Sequence, residues 1–389
     1  MGVAVRPLVI RHCPGPDPPQ FQVSRPDQKS TDPVVVPSPL EFPVEGRPQS
    51  NLMAELRWYL EEFLDYPFSP NTDRAERVRK ALEDWGRQAF DALFDHRDAA
   101  LMFADATREG YENLDLQIQS DDPRVLHWPW EALRDSRASY VAVACHVERR
   151  MNRVLDPIAV SADLPRDRIN ILLVTARPLE HDVRYRSISR PLVELIERER
   201  IPAEVHVLRP PTLAALHDHF HQRPHFYHIL HFDGHGGYAS PAPHGDDRHQ
   251  FRAEGTLVFE DDKGEADPIT AEQLSGVLRD HAVPLVVLNA CRSAMLDVRA
   301  DDPFASVAAA LVQAGVRGVV AMAYSLYVSG AQEFLPSFYR RLFETGDLAQ
   351  AARAGRQAMF AQKRRVCARG RFELDDFLVP VLYRLNDLS

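Results

Sequence analysis

The residues best suited to covalent chemistry are a histidine and a cysteine that each follow a predicted strand. His235 lies at the centre of an Asp-Gly-His-Gly-Gly run after a strand predicted at 226–232, and Cys291 lies in an Ala-Cys-Arg-Ser run after one predicted at 285–289. The two residues are 56 positions apart, the length of one strand–helix–strand crossover with an insertion. They can therefore lie at the ends of neighbouring strands. An imidazole can take the proton of a thiol, whose thiolate is the reactive nucleophile. The spacing therefore indicates a nucleophile–base pair.

The second half of the chain alternates strand and helix patterns, an arrangement that would position such a pair. Strands are predicted at 169–175, 204–208, 226–232, 285–289 and 318–323, with helices at 188–200, 212–222, 270–280, 304–314, 330–344 and 348–366. A hairpin is predicted at 255–267 and a last strand at 380–383. Near-continuous apolar strands and strand–helix repetition favour a mostly parallel sheet with helices on both faces. Ligands bind beyond the carboxyl ends of such strands, where both residues lie.

The first half divides into a proline-rich segment and a helical one. Eleven of the 30 prolines fall within the first 50 residues. Because proline removes a backbone donor and restricts the residue before it, we predict a disordered or extended tail over 1–50. It is either an ordinary tail or a docking or inhibitory segment. Apolar residues at three- and four-residue steps predict a helical region over 51–110, and residues 111–389 form the predicted α/β domain.

Charge, cysteine content and hydropathy exclude several classes of protein. Acidic residues exceed basic ones by 56 to 46, giving a net charge of -10 and no overall footprint for nucleic acid. The four cysteines are scattered, which favours a reducing cytoplasm over a disulfide framework. No apolar run approaches the ~18 residues of a membrane span. We expect a cytoplasmic protein that contacts neither nucleic acid nor membrane.

Two groups of residues have the chemistry of metal ligands, but neither has a suitable pattern. The histidines at 225, 228, 231 and 235 fall on different faces of a strand and a turn, without a completing ligand set. The acidic run at 260–267 could hold calcium, but it is more typical of a solvated hairpin tip. Cys367 lies in a basic patch that would lower its pKa if exposed, yet no nearby residue offers a base. No metal or other cofactor is predicted.

Several stretches of the sequence together carry a family resemblance. They are His-Phe-Asp-Gly-His-Gly at 231–236 and Leu-Asn-Ala-Cys-Arg-Ser-Ala at 288–294, continued by 171–178, 314–322 and 380–383. A His-Gly after one strand and an Ala-Cys after another resemble the caspase-like (clan CD) cysteine peptidases. The particular residues are most similar to the bacterial CHAT domain, a branch related to separase. The resemblance covers about 111–383, and it implies a caspase-like fold.

The resemblance implies roles for individual residues. Cys291 would be the nucleophile and His235 the general acid–base, with the amides of Gly236 and Cys291 donating to the oxyanion. Asn289 and Ser293 stand where caspases carry glutamine and glycine, so a caspase-like preference for aspartate is not implied.

The specificity pocket is expected near Asp233, Tyr324 and Ser325, by analogy with the family. An aspartate at the base of a pocket would select arginine or lysine, whereas Asp233 could equally cap a strand end. The chain is expected to work uncleaved, because about ten residues separate Cys291 from the next predicted helix.

The function implied is that of a regulated cysteine endopeptidase that cuts a specific protein substrate. Family analogy suggests bacterial, antiviral defence or cell-death signalling, with a gasdermin-like protein as substrate and an activator or regulatory protein as partner. One alternative is a non-catalytic caspase-like scaffold or signalling module, although it would need neither His235 nor Cys291. A third is hydrolysis of a small amide.

Overall fold

The computed structural model describes residues 6–26, 28–137, 139–178, 186–239, 254–290 and 303–385. Its strands are β1 (Arg6–Cys13), β2 (Gln20–Ser24), β3 (Val34–Val35), β4 (Leu114–Gln119), β5 (Arg134–Asp135), β6 (Ser139–Tyr140), β7 (His146–Arg150), β8 (Ile169–Thr175), β9 (Ala203–Val207), β10 (Ile229–Ala239), β11 (Glu254–Glu260), β12 (Ala266–Thr270), β13 (Leu285–Ala290), β14 (Gly318–Met322), β15 (Arg364–Cys367), β16 (Gly370–Glu373) and β17 (Pro380–Arg384). Its α-helices are α1 (Leu52–Glu61), α2 (Asn71–Phe94), α3 (Arg97–Ala106), α4 (Pro123–Leu126), α5 (Val141–Ala144), α6 (Arg186–Glu199), α7 (Leu213–Gln222), α8 (Ala271–Asp280), α9 (Pro303–Gln313), α10 (Val328–Thr345) and α11 (Leu348–Ala361).

Two compact units divide the chain. The first combines residues 1–152 with 329–382, and the second combines 153–328 with 383–389. This division differs from the three consecutive segments expected from the sequence, because the first unit takes its elements from both ends of the chain. The helical region predicted at 51–110 contains α1, α2 and α3.

The sheet of the first unit has β1 at its centre. β1 pairs in parallel with β4, which pairs in parallel with β7, and on its other side β1 pairs antiparallel with β2. Leu8 and Ile10 of β1 are fully buried, as is Phe21 of β2, whose ring lies against Trp130. Alternation of buried and partly exposed residues along β1 is typical of a strand that packs on one face.

The segment 1–50, for which the sequence predicts a disordered or extended tail, contains the strands β1, β2 and β3. Pro7 pairs with Asp115 of β4, whereas the β2 ladder begins only at Val9. Pro7 therefore lies where β1 has only β4 as a neighbour, the kind of position at which a sheet tolerates a residue without an N–H. Further along, the carbonyl of Pro37 accepts a hydrogen bond from the Trp85 indole at 2.9 Å. The prolines shape the connections of a packed segment.

A buried charge cluster joins the two parts of the first unit. The carboxylate of Glu131 accepts hydrogen bonds from Arg149 at 2.5 and 2.8 Å, and Arg356 of α11 donates to it at 3.3 Å. None of the three side chains is more than 2% exposed. Two buried cations share one carboxylate, so the cluster depends on Glu131 being present.

The second unit contains the predicted α/β alternation. β9, β8, β10, β13 and β14 pair in that order, and every pairing is parallel. The outer half of β10 continues beyond β8 and pairs antiparallel with β11, which pairs with β12 as the predicted hairpin. The fold class is confirmed: the chain is a mixed α/β protein with mostly parallel sheet flanked by helices.

Replacing Ile10 tests the placement of the N-terminal residues in the sheet. Ile10→Ala removes a fully buried side chain and should lower the free energy of unfolding by about 2–5 kcal/mol. Arg11→Ala, at the adjacent exposed position, should change it by less than about 0.5 kcal/mol. Equal values for the two variants in denaturant unfolding would show that β1 is not packed.

Candidate active site

The carboxyl ends of three parallel strands meet where the sequence predicts catalytic residues. Asp233 of β10 lies opposite Thr175 of β8 on one side and opposite Asn289 of β13 on the other. The next pair is Gly234 with Ala290. Beyond this point β10 changes neighbour on the β8 side, since His235 pairs with Val258 of β11. The site is therefore bounded by strand ends and by the β11–β12 hairpin.

A hydrogen-bonded network is centred on the carboxylate of Asp233. Arg177 donates from Nη2 to Oδ2 at 2.7 Å, and Asn289 donates from Nδ2 to Oδ1 at 3.0 Å. Arg177 also donates from Nη1 to the carbonyl of Asp233 at 3.0 Å. Both carboxylate oxygens are thus occupied, and the Asp233 side chain is fully buried.

The guanidinium that meets Asp233 is itself held in place by its surroundings. Arg177 follows β8 by two residues, and its backbone N–H donates to Glu260 Oε1 of β11 at 2.7 Å. Its Nη1 donates to the carbonyl of Ala176 at 3.0 Å. The side chain is 9% exposed, so little solvent screens its charge. Arg177 consequently links the ends of β8, β10 and β11.

Burial raises the pKa of the Asp233 carboxyl, while the Arg177 charge and the hydrogen bonds from Arg177 and Asn289 act in the opposite direction. A raised pKa means that the folded chain holds this proton more tightly than the unfolded chain does. The associated stability is fully present below the ordinary aspartate value of 3.8 and is lost as pH rises through the folded pKa. Arg177 limits that loss by stabilising the ionised form.

His235 is buried, with 3% of its surface exposed, and it lies two residues beyond Asp233 on the same side of β10. Gly236 follows, opposite Leu257 of β11. Packing explains the glycine that precedes His235, because a Cβ on Gly234 would lie only 2.7 Å from the ring of Phe232. The turn-like glycines thus belong to a continuous strand packed closely on its neighbours.

The remaining site residues are only partly placed. Tyr324 is buried and Ser325 half-buried, directly after β14, the strand that pairs with β13. Cys291 follows Ala290 in the chain and lies outside the described residues. In the structure, the side chains of Asp233 and Asn289 are joined by a hydrogen bond. His235 and Gly236 lie further along β10, after Asp233 and Gly234.

Arg177 and Asn289 are the residues that sequence reasoning missed as parts of the site. Both belong to stretches that carry the family resemblance, but the sequence did not predict that either would contact Asp233. A usable signal existed: an acid at the end of an apolar strand requires a cation, and Arg177 follows another such strand.

The histidines and the acidic run with metal-ligand chemistry take part in contacts of a different kind. His228 accepts from the Asn170 N–H at 3.0 Å and lies 2.9 Å from the Pro165 carbonyl, while burial lowers the pKa of His231 to about 3. Asp261 Oδ1 accepts from the backbone of Lys263 and Glu265, which closes the hairpin turn. Among the described residues, no three His, Cys, Asp or Glu side chains are arranged to hold a metal ion.

The family match and the fold support a caspase-like, protease-related domain. The family model described as "CHAT domain" matches residues 83–376, three quarters of the chain. The chain belongs to the CHAT domain family. No protein with a curated description matches it.

One solved structure supports the fold. The chain is similar to one from the crystal structure of the Saccharomyces cerevisiae separase–securin complex at 3.0 Å, with a TM-score of 0.53 and 10% identity. The match covers 98% of this chain and 30% of that one, so the present chain spans under a third of that relative. A 2.6 Å structure of the same complex matches at 12% identity and a TM-score of 0.37, covering 83% and 20%. Within the described ranges, no helix is long and apolar enough to span a bilayer.

Removing the Arg177 charge tests the network. Arg177→Met leaves a buried carboxylate without its cation and should lower the free energy of unfolding by about 3–5 kcal/mol near neutral pH. The loss should grow as pH rises through the raised folded pKa of wild-type Asp233, because that pKa is higher still in the variant.

Two further variants control this result. Arg168→Met removes an arginine that is 49% exposed and should cost less than about 1 kcal/mol. In Arg177→Met/Asp233→Asn the titrating group is gone, so most of the stability should return and the added pH dependence should disappear. If Arg177→Met is no more damaging than Arg168→Met, the ion pair does not stabilise the site.

Proposed function

We propose that the chain is a cysteine endopeptidase in which Cys291 is the nucleophile and His235 the general acid–base. One observation carries the proposal: β10 and β13 are parallel neighbours in a register that pairs Gly234 with Ala290. His235 follows Gly234 in β10, and Cys291 follows Ala290 in the chain. Since consecutive Cα atoms are about 3.8 Å apart, we propose that the Cys291 backbone starts close to that of His235.

The side-chain direction supports the same pairing. Asp233 and Asn289 meet through a side-chain hydrogen bond, so they project to the same face of the sheet. Side chains two residues apart in a strand share a face, which assigns His235 to the face of Asp233. We propose that Cys291, two residues after Asn289, projects to that face as well.

The chemistry follows from these assignments. His235 takes the thiol proton of Cys291, and the thiolate attacks the carbonyl carbon of the scissile peptide bond. His235 then returns the proton to the leaving nitrogen as the C–N bond breaks, which leaves a thioester on Cys291. A water molecule, deprotonated by His235, attacks the thioester, and the departing sulfur recovers the proton.

The negative charge that develops on the carbonyl oxygen needs donors. We assign this role to the backbone N–H groups of Gly236 and Cys291, as the family resemblance implies. Loss of one such donor costs about 3–4 kcal/mol of transition-state stabilisation in other hydrolases. A glycine at 236 lets a substrate carbonyl approach the backbone without a side chain intervening.

The substrate pocket is proposed at Tyr324 and Ser325, which follow the strand next to β13. Asp233 was the third expected pocket residue, but its carboxylate is occupied by Arg177 and Asn289. We therefore propose that Asp233 positions the strand ends and does not select a basic residue in the substrate.

Protein partners are part of the proposal. The substrate would be a protein, because the proposed reaction cleaves peptide bonds. The related separase was crystallised with securin, which supports a regulatory protein as a second partner here. A cytoplasmic role in bacterial defence with a gasdermin-like substrate stays a prediction from the family resemblance.

Cleavage of a diverse peptide library tests the function. Purified wild type should cut a limited set of sequences, and Cys291→Ala and His235→Ala should each lower the rate at least about a thousandfold. Cys367→Ala, which removes a half-exposed thiol outside the site, should leave it unchanged. Cleavage that persists in Cys291→Ala would exclude the proposed nucleophile.

Alkylation of the thiol tests the pairing independently of any substrate. Iodoacetamide should modify Cys291 faster in wild type than in His235→Ala, because the imidazole raises the thiolate fraction. The rate should be followed by mass spectrometry, with Cys367 as the internal reference. A Cys291 rate that does not depend on His235 would contradict the dyad and favour the scaffold alternative.

A further inference from the structure

Four histidines of the second unit lie together where the second half of α7 meets the end of α8. The His217 ring lies 5.2 Å from the ring of His281, edge-on, and 6.5 Å from the ring of His221, stacked. His281 directly follows α8, and the Phe220 ring lies 5.5 Å from it. His225 follows α7 and acts electrostatically on His281 as well. His217, His221, His225 and His281 form what we call the α7–α8 histidine cluster.

Two ring nitrogens of this cluster are buried without a hydrogen-bond partner in the part of the chain that the structure describes. They are Nδ1 of His225 and Nε2 of His281. A neutral imidazole carries one N–H, whereas a protonated imidazole carries two and needs an acceptor for each. A buried charged N–H without an acceptor is costly. The surroundings of both rings therefore favour the neutral form.

The charges around His281 favour the neutral form as well. Burial is the main cause that holds the pKa of His281 below its ordinary value of 6.5, and the three other histidines of the cluster lower that pKa further. Asp280, its neighbour in the chain, acts in the opposite direction. Asp218 lies 3.9 Å from His217, but its side chain is 76% exposed, so solvent screens its charge.

A lowered histidine pKa makes the closed cluster sensitive to acid. The folded chain holds the His281 proton less tightly than a locally opened chain does. The associated stability is fully present above the ordinary value of 6.5, and it is lost as pH falls through the folded pKa. Opening of the cluster in acid therefore takes up protons.

The two connections that leave the cluster have a strained backbone. His225, between α7 and β10, has a φ of 53°, and Ala282, between α8 and β13, has a φ of 54°. Residues other than glycine rarely adopt this left-handed conformation, which persists only where surrounding contacts hold it. Separation of the two helix ends would release both residues from it.

We propose that the α7–α8 histidine cluster is a pH-sensitive device, closed near neutral pH and opened by protonation in mildly acidic solution. Protonated rings repel one another, and two of them lack an acceptor for the added proton. The opening would act on the residues that lead into β10, which begins at Ile229, and into β13, which begins at Leu285. The carboxyl ends of the same two strands form the candidate active site.

A proton suits this cluster better than a metal ion does. Within the described ranges, no three His, Cys, Asp or Glu side chains are arranged to hold a metal ion. Protonation requires no such convergence of ring nitrogens. Histidine is also the side chain whose ordinary charge change falls within the mildly acidic range.

Hydrogen exchange of the full chain tests the proposal by mass spectrometry, with rates corrected for intrinsic exchange at each pH. Between about pH 7.5 and 5.5, protection of the segments 217–228 and 277–285 should fall. The fall should reach up to about tenfold per pH unit for each proton taken up on opening. Protection of α2, which contains no histidine, should change little.

Two charge variants should change this response in opposite directions. His217→Gln removes a like charge, so it should raise the pKa of His281 and reduce the loss of protection in acid. Asp280→Asn removes an attraction, so it should lower that pKa further and increase the loss. The matched control His96→Gln changes an exposed histidine just before α3, and it should leave the response unchanged.

Removing the titrating group itself completes the test. His281→Phe keeps a ring beside Phe220, and it should make the acid response smaller. The inference would be overturned by an unchanged response in His281→Phe, by a shift in the same direction in His217→Gln and Asp280→Asn, or by an equal fall of protection in α2. A response that disappears in the presence of EDTA would also overturn it, since a metal ion would then be the ligand. None of these measurements depends on Cys291, so they test this proposal separately from the peptidase activity.

Discussion

A carboxylate buried beneath the ends of three strands needs a cation, and Arg177 supplies it to Asp233. Without that partner the charge would face an interior that solvates it poorly. The pair also fixes geometry, because Arg177 follows β8, Asp233 lies on β10, and Asn289 of β13 completes the hydrogen bonds. A slip of β13 by one residue would turn the Asn289 amide to the opposite face. The register that brings the proposed catalytic residues to adjacent positions is therefore the one in which this charge is satisfied.

The first unit also contains a buried ion cluster, which joins distant segments of the chain. Glu131 is shared by Arg149 and Arg356, which come from chain segments about 200 residues apart. Buried ion pairs contribute little net stability but penalise arrangements that separate their members. In one unit the charge pattern specifies how strand ends align, and in the other it specifies which segments must come together.

Much of the fold could be predicted from the sequence, and the exceptions have physical causes. Apolar runs located β8, β13 and β14 closely, because fully buried parallel strands leave an unambiguous pattern. The strand predicted at 226–232 is too short at its end, because the glycines that follow it resemble a turn. In the structure β10 continues through these glycines to Ala239, where it pairs with β11. A helix predicted to 366 ends at Ala361, and a hairpin follows it.

The N-terminal strands and the site network were harder to predict for another reason. Proline content indicates only which local backbone conformations are disfavoured. Pro7 is compatible with β1 because it lies where that strand lacks a second neighbour, and only the strand register reveals this. Likewise, the sequence predicts His235 and Cys291 at strand ends, but His235 lies within β10. Whether Asp233 faces a pocket or an arginine depends on a contact between residues 56 positions apart.

The discontinuous first unit has a consequence for the order in which the chain can fold during synthesis. β1 is synthesised before β4, the strand with which it pairs, whose Gln119 lies opposite Arg11. The second unit is almost complete by residue 328, while the first still awaits 329–382. At about 5–20 residues per second, the N-terminal part waits roughly 10 to 50 seconds for its last elements. The nascent protein would therefore carry a nearly complete α/β unit before β1 and β2 reach their final environment, an interval in which a chaperone could act on these exposed strands.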